Sequence, residues 1–186
     1  MAGLNRATSY LRSLSESRKS IGIKCVFLSH QQSDKAVCRE IANYLMEANI
    51  DVYFDEDDED LKVHRQTNNP KGVVDSIRKG INNSSHMLVI VSRNTMLSRW
   101  VPFEIGYGYD KTELGVLCLK GIPKGELPEY VRIAKIVRDI YDLNILIVEL
   151  TGKKQETLLE TKMMSDYTNR SNPLSNVMDS LINDTY

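Results

Sequence analysis

Trp100 and Glu104 stand four residues apart in the stretch Ser98-Arg99-Trp100-Val101-Pro102-Phe103-Glu104. On a helix that spacing puts an indole and a carboxylate on one face. Ser98 is a good N-cap residue and Pro102 suits a first turn, so a helix is expected to open there. The segment follows an apolar run, His86-Met87-Leu88-Val89-Ile90-Val91, which has the length and content of a buried strand. A carboxylate beside a large aromatic, just beyond the C-terminal end of a central strand, lies where open α/β sheets bind ligands. A lone carboxylate in such a place can steady a developing positive charge.

Other polar groups gather at the same edge. Ser29, His30, Ser33 and Asp34 follow a first strand, Asp55 to Asp60 follow a second, and Ser92 to Asn94 follow the third. Each also has a plain structural reading: Asp34 as a helix cap, His30 as a polar loop residue, and Trp100 as a core aromatic. The six-residue acidic run reads most simply as a solvated, mobile loop. No metal is expected, because the EF-hand glycine and terminal glutamate are missing and no Cys or His pair has zinc spacing. No phosphate-binding glycine loop occurs either; Gly106 and Gly108 fall within a helical pattern.

The elements that must position these groups alternate strand and helix. Strands are expected at Ile23 to Ser29, Ile50 to Phe54, 86–91 and Leu114 to Leu119, with a short fifth at Lys135 to Ile140. Val37, Ile41, Tyr44, Leu45 and Ala48 repeat with helical spacing, as do Val73, Val74, Ile77 and Ile81. Leu143 to Leu150 is ambiguous between strand and helix. Its place between Asp142 and Thr151-Gly152 favours helix. This order implies right-handed crossovers and a parallel sheet covered on both faces. The expected fold is therefore a flavodoxin-like, doubly wound α/β domain over residues 22–152. Residues 1–21, with the stripe Leu4, Ala7, Leu11 and Leu14, read as an N-terminal helical extension. Residues 153–186 read as a linker and a C-terminal helix carrying Leu174, Val177, Met178, Leu181 and Ile182.

Composition narrows the classes. The chain has 186 residues, 24 Lys plus Arg against 25 Asp plus Glu, and a net charge of −1. That balance offers no footprint for nucleic acid or an anionic membrane. With no apolar run of transmembrane length and no leader-like segment, a cytoplasmic protein is expected. Cys25, Cys38 and Cys118 are odd in number and sit in apolar patterns, as buried free thiols would. A phosphate-accepting receiver domain is excluded: it needs an acidic pair after the first strand and an aspartate ending the third. Here those places read Ser29-His30 and Val91-Ser92.

Four segments in order resemble the TIR domain family. They are Phe27-Leu28-Ser29-His30-Gln31-Gln32-Ser33-Asp34, then Val52-Tyr53-Phe54-Asp55, then residues 77–84 (IRKGINNS), and Ser98 to Glu104 as S-x-W-x-x-x-E. The version here looks bacterial, of the type found in antiphage systems such as Thoeris. The resemblance implies an enzyme that cleaves the nicotinamide–ribose bond of NAD⁺ and makes an ADP-ribose-derived signal for a separate, product-sensing effector. It implies Glu104 as the catalytic carboxylate, and Trp100, Ser29, His30, Ser33, Asp34, Asp55 and Ser98 around the substrate. No cofactor is implied beyond NAD⁺ as substrate. Self-association through the loop at 55–71 is also implied, although this loop is longer and more acidic than the family's usual one, with no glycine before Gly72. Two other classes stay open: a non-catalytic TIR adaptor, and a nucleoside deoxyribosyltransferase-like enzyme, which cuts a similar bond in a substrate lacking the pyrophosphate.

Overall fold

The computed structural model describes residues 2–8, 18, 21–123, 125–152 and 172–179, with the Met96 side chain left aside. Five parallel strands form one sheet in the order β2-β1-β3-β4-β5. They are Cys25–Ser29 (β1), Asp51–Tyr53 (β2), His86–Val91 (β3), Glu113–Cys118 (β4) and Lys135–Val137 (β5). The helices are Lys35–Glu47 (α1), Glu59–Gln66 (α2), Pro70–Asn82 (α3), Val101–Gly108 (α4) and Ile140–Thr151 (α5). This is the flavodoxin-like order, and the order of strand addition reverses between β1 and β3, the switch point where such sheets bind ligands.

Strand alternation sorts the core into two layers. Val26, Leu28, Leu88 and Ile90 face α1 and α5, while Cys25, Phe27, Met87 and Val89 face α2, α3 and α4. The near-continuous apolar strands follow from cover on both faces. All three cysteines are buried and none is in a disulfide. Gly80 lies where a Cβ would come within 2.5 Å of the Tyr53 ring and 2.9 Å of the Phe27 ring. Those two rings stack with centroids 5.7 Å apart, so the glycine lets α3 close onto β1 and β2. Ser84 then ties the end of that helix back, donating to the Gly80 carbonyl at 3.0 Å.

The ambiguous segment at 143–150 is helix. Asp139 caps it, accepting from the Asp142 backbone N–H at 2.8 Å, and Gly152 ends it in the left-handed region at φ 63°. Three expectations change. The acidic run is not a solvated, mobile loop: Asp55–Asp57 forms a 3₁₀ turn, Asp58 caps α2, and Asp55 and Asp58 are buried. Leu4 and Ala7 do not begin a helical stripe; Asn5 bridges in parallel to Val52 at the sheet edge. Leu11 and Leu14 lie outside the described residues. Finally, residues 172–179 run as consecutive turns, with Leu174 and Met178 buried in the layer that holds α1 and α5. Leu181 and Ile182 lie outside the described residues. No helix among the described residues is long and apolar enough to cross a membrane.

Candidate active site

A cleft of about 430 Å³ opens at the C-terminal edge of the sheet, lined in part by His30, Asp55, Arg65, Asn69, Trp100 and Glu104. Its floor is Glu104, only 4% exposed. The residue sits on the first turn of α4, which opens at Val101 and not at Ser98. Trp100 is the N-cap and makes no side-chain cap, while the Ser98 hydroxyl, two residues earlier, accepts from the Trp100 N–H at 3.3 Å and the Val101 N–H at 3.2 Å. Ser29, the last residue of β1, donates its hydroxyl to Glu104 Oε2 at 2.6 Å. The switch point thus joins β1 to the helix that follows β3 through one short hydrogen bond.

Glu104 binds its proton unusually tightly. Burial is the main cause and the negative charge of Asp55 adds to it, while the Ser29 hydroxyl and Arg65 pull the other way. The carboxyl is pushed up to about 8. A carboxyl perturbed by burial inside a cleft is a mark of function.

Trp100 is not a core aromatic. It is 37% exposed on the cleft wall and braced edge-to-face by Phe103 at 6.1 Å, which stacks in turn on Tyr107. The side chain therefore offers a held, partly apolar face one helical turn from the carboxylate. His30 is packed against Phe54 with centroids 5.1 Å apart, and its Nδ1 lies 3.1 Å from the Leu28 carbonyl.

Ser33 and Asp34 do not line this cleft. Asp34 is also no side-chain cap for α1. Its carboxylate accepts from the Ser92 hydroxyl and from Asn94 Nδ2 at 3.1 Å, clamping the loop after β1 to the loop after β3. Asp34 thus holds the rim, and Ser33 donates to its carboxylate at 3.3 Å.

The other wall comes from α2, which contributes His64 and Arg65, and from the turn into α3, which contributes Asn68 and the helix cap Asn69. None of these was picked from sequence, because that stretch reads as loop. The acidic residues that precede it are paired within the chain: Asp55 with Arg65 at 3.0 Å, Glu56 with Lys35 at 3.8 Å, and Asp57 with Arg39 at 2.6 Å. The Arg39 fork is the main reason the Asp57 carboxyl stays ionised below its ordinary range. The same guanidinium covers the Phe54 ring at 4.6 Å.

The strand order and the flanking helices are those of a flavodoxin-like α/β domain, with a buried glutamate at its switch point. The family profile of the TIR domain matches residues 26–139, from β1 to the cap of α5. The chain belongs to the TIR domain family. No curated protein sequence matches it.

Proposed function

We propose that this TIR domain breaks the nicotinamide–ribose bond of NAD⁺, with Glu104 as the catalytic carboxylate. The observation that carries the reading is a carboxyl 4% exposed at the floor of a cleft, beside an indole held at its wall. In NAD⁺ the nicotinamide nitrogen is already cationic. When the C1′–N bond breaks, its electron pair neutralises that nitrogen and the base leaves without needing a proton. Positive charge appears instead on the ribose as an oxocarbenium. An ionised carboxylate fixed within the cleft stabilises it, and its dry surroundings strengthen that effect. Trp100 would wall the nicotinamide end. Ser29 would hold the carboxylate in place, and Arg65 and Asn69 would meet the polar remainder of the dinucleotide.

A carboxyl that binds its proton near pH 8 suits the second half-reaction too, since it can accept the proton of the attacking hydroxyl. Water as acceptor gives ADP-ribose, an internal nucleophile gives a cyclic product, and another small molecule gives a conjugate. By its resemblance to Thoeris-type TIR proteins, we assign the product a signalling role in bacterial antiphage defence, read by a separate effector. Self-association through residues 55–71 belongs to the same proposal. Leu97, 79% exposed beside the cleft, adds apolar surface that a second copy would cover.

Purified protein incubated with NAD⁺ and, separately, with a purine 2′-deoxynucleoside and a second free base as acceptor tests the reading. Free nicotinamide with an ADP-ribose-derived partner of defined mass supports it. Base release from the nucleoside alone would mean a deoxyribosyltransferase-like enzyme, and turnover of neither would favour an adaptor.

The ionisation of Glu104 makes a further prediction. kcat/KM for nicotinamide release should rise close to tenfold per pH unit below about 8 and level off above it, because this ratio reports the free enzyme. Ser29→Ala removes a donor to the charged form, so the midpoint should move up. A profile flat from pH 6 to 9 would contradict the assignment.

A further inference from the structure

Three potential metal ligands meet at the side of the cleft. His30 Nε2 and one carboxylate oxygen each of Asp55 and Glu56 all lie within 4.8 Å of one another. They come from the loop after β1 and the turn after β2, so no local spacing in the sequence announces them.

Two independent features point to a ligand at this place. The Asp55 side chain is only 10% exposed, and its Oδ1 has no hydrogen-bond partner among the described residues, while Oδ2 is taken by Arg65. A buried carboxylate oxygen left without a partner is costly. That same Oδ1 faces His30 Nε2 at 3.7 Å. On the far side of the imidazole, Nδ1 meets the Leu28 carbonyl, which can only accept. Nδ1 therefore carries a proton, which leaves Nε2 as the ring nitrogen that faces Oδ1 and is open to a ligand.

The distance discriminates between the things that could lie between them. A separation of 3.7 Å is too long for an N–H···O hydrogen bond. Two ligands at about 2.1–2.2 Å from one ion lie about 3.0 to 3.6 Å from each other, from a right angle to a tetrahedral one. A backbone carbonyl fixing the other ring nitrogen is also the usual partner of a metal-bound histidine.

We propose that His30, Asp55 and Glu56 hold a divalent cation at the wall of the cleft. One imidazole and two carboxylates favour a first-row transition ion such as Mn²⁺ over Ca²⁺. All three residues line the cleft, so coordination positions the protein leaves open face its interior. Arg65 on the second oxygen of Asp55 and Lys35 at 3.8 Å from Glu56 oppose the ion and keep its affinity moderate. The site shares its cleft with Glu104, but the binding test below does not depend on the proposed reaction.

Mn²⁺ is the probe of choice, since its free EPR signal falls on binding and it has little affinity for buried thiols. The full chain should bind one Mn²⁺ with Kd of roughly 10⁻⁴ M, as weak oxygen-rich sites do. Glu56→Gln and His30→Asn should each weaken binding tenfold or more. Their far-UV circular dichroism should match wild type; if His30→Asn does not fold, Glu56→Gln on its half-buried turn decides alone. Absence of saturable binding by wild type up to about 1 mM, or wild-type affinity in Glu56→Gln, would overturn the site.

Discussion

Glu104→Gln is expected to melt on the order of 5 °C above wild type at pH 8.5, with the gap closing towards pH 4.5. The folded carboxyl holds its proton up to about 8, whereas its ordinary value is 4.5. Below 4.5 folded and unfolded chains are both protonated, so pH has no leverage. Between 4.5 and about 8 the unfolded chain ionises while the folded one stays protonated, and stability falls with rising pH. Above that both are ionised and the penalty is constant. The proton-affinity gap corresponds to at most about 5 kcal/mol. Gln avoids this cost and keeps an oxygen to accept from Ser29, but it buries an amide N–H₂ that offsets part of the gain. Melting curves of both proteins across pH check this, and a variant that melts with or below wild type at pH 8.5 would contradict it. Instability and chemistry would then share one cause, a carboxyl held where water cannot solvate it.

Asp51→Asn should act in the opposite direction and as strongly. Asp51 is fully buried at the start of β2 and accepts from Arg6 Nε at 2.7 Å and from the Leu4 backbone N–H at 2.9 Å. Arg18 Nη2 reaches the oxygen that also accepts from Leu4, at 2.7 Å. Arg6 and Arg18 are themselves 5% and 6% exposed. Such a cluster adds little net stability when whole, but neutralising Asp51 removes the carboxylate that both buried guanidiniums share, at a cost of about 3–5 kcal/mol. At this chain length that is roughly 10 °C in Tm. A change below about 2 °C would show that the N-terminal segment releases the arginines to water without loss. The effect should reach the cleft, because residues 3–8 are threaded to its wall. Asn5 donates to the Asp57 carboxylate at 2.8 Å and accepts from the Phe54 N–H at 3.1 Å, next to Asp55.

The parts of the fold legible in the sequence were those with unbroken patterns. β3 at 86–91 has no polar residue after His86, and α3 carries Val73, Ile77 and Ile81 on one buried face. The helix at 59–66 went unread because it buries only Leu61 and is otherwise Glu, Asp, Lys, His, Arg and Gln around an exposed Val63. Its stability comes from the Asp58 cap and from packing on α3, neither of which leaves a periodic trace. The N-terminal stripe misled for the opposite reason. Leu4 and Ala7 have helical spacing, yet the segment is fixed by what Asn5 and Arg6 find 45 and more residues away.

The site divides along the same line. Trp100 and Glu104 were readable because one helix carries both and their spacing sets their common face. Ser29 and His30 were readable as strand-end residues. Arg65 and Asn69 were not, since they enter the cleft only once α2 folds against α3. Asp34 was assigned to the cleft from its position in the motif, but its carboxylate is spent on Ser92 and Asn94.

Nicotinamide release from NAD⁺ by wild type and by Glu104→Gln, at pH 8.5 and equal concentration, tests the central claim most directly. Both proteins should be folded by the melting criterion above, so loss of activity cannot be loss of structure. The account predicts release by wild type and a rate lower by about 10³-fold or more in the variant, the scale of removing a charge-stabilising group from a transition state. Equal rates from the two proteins, or no release from wild type, would contradict it.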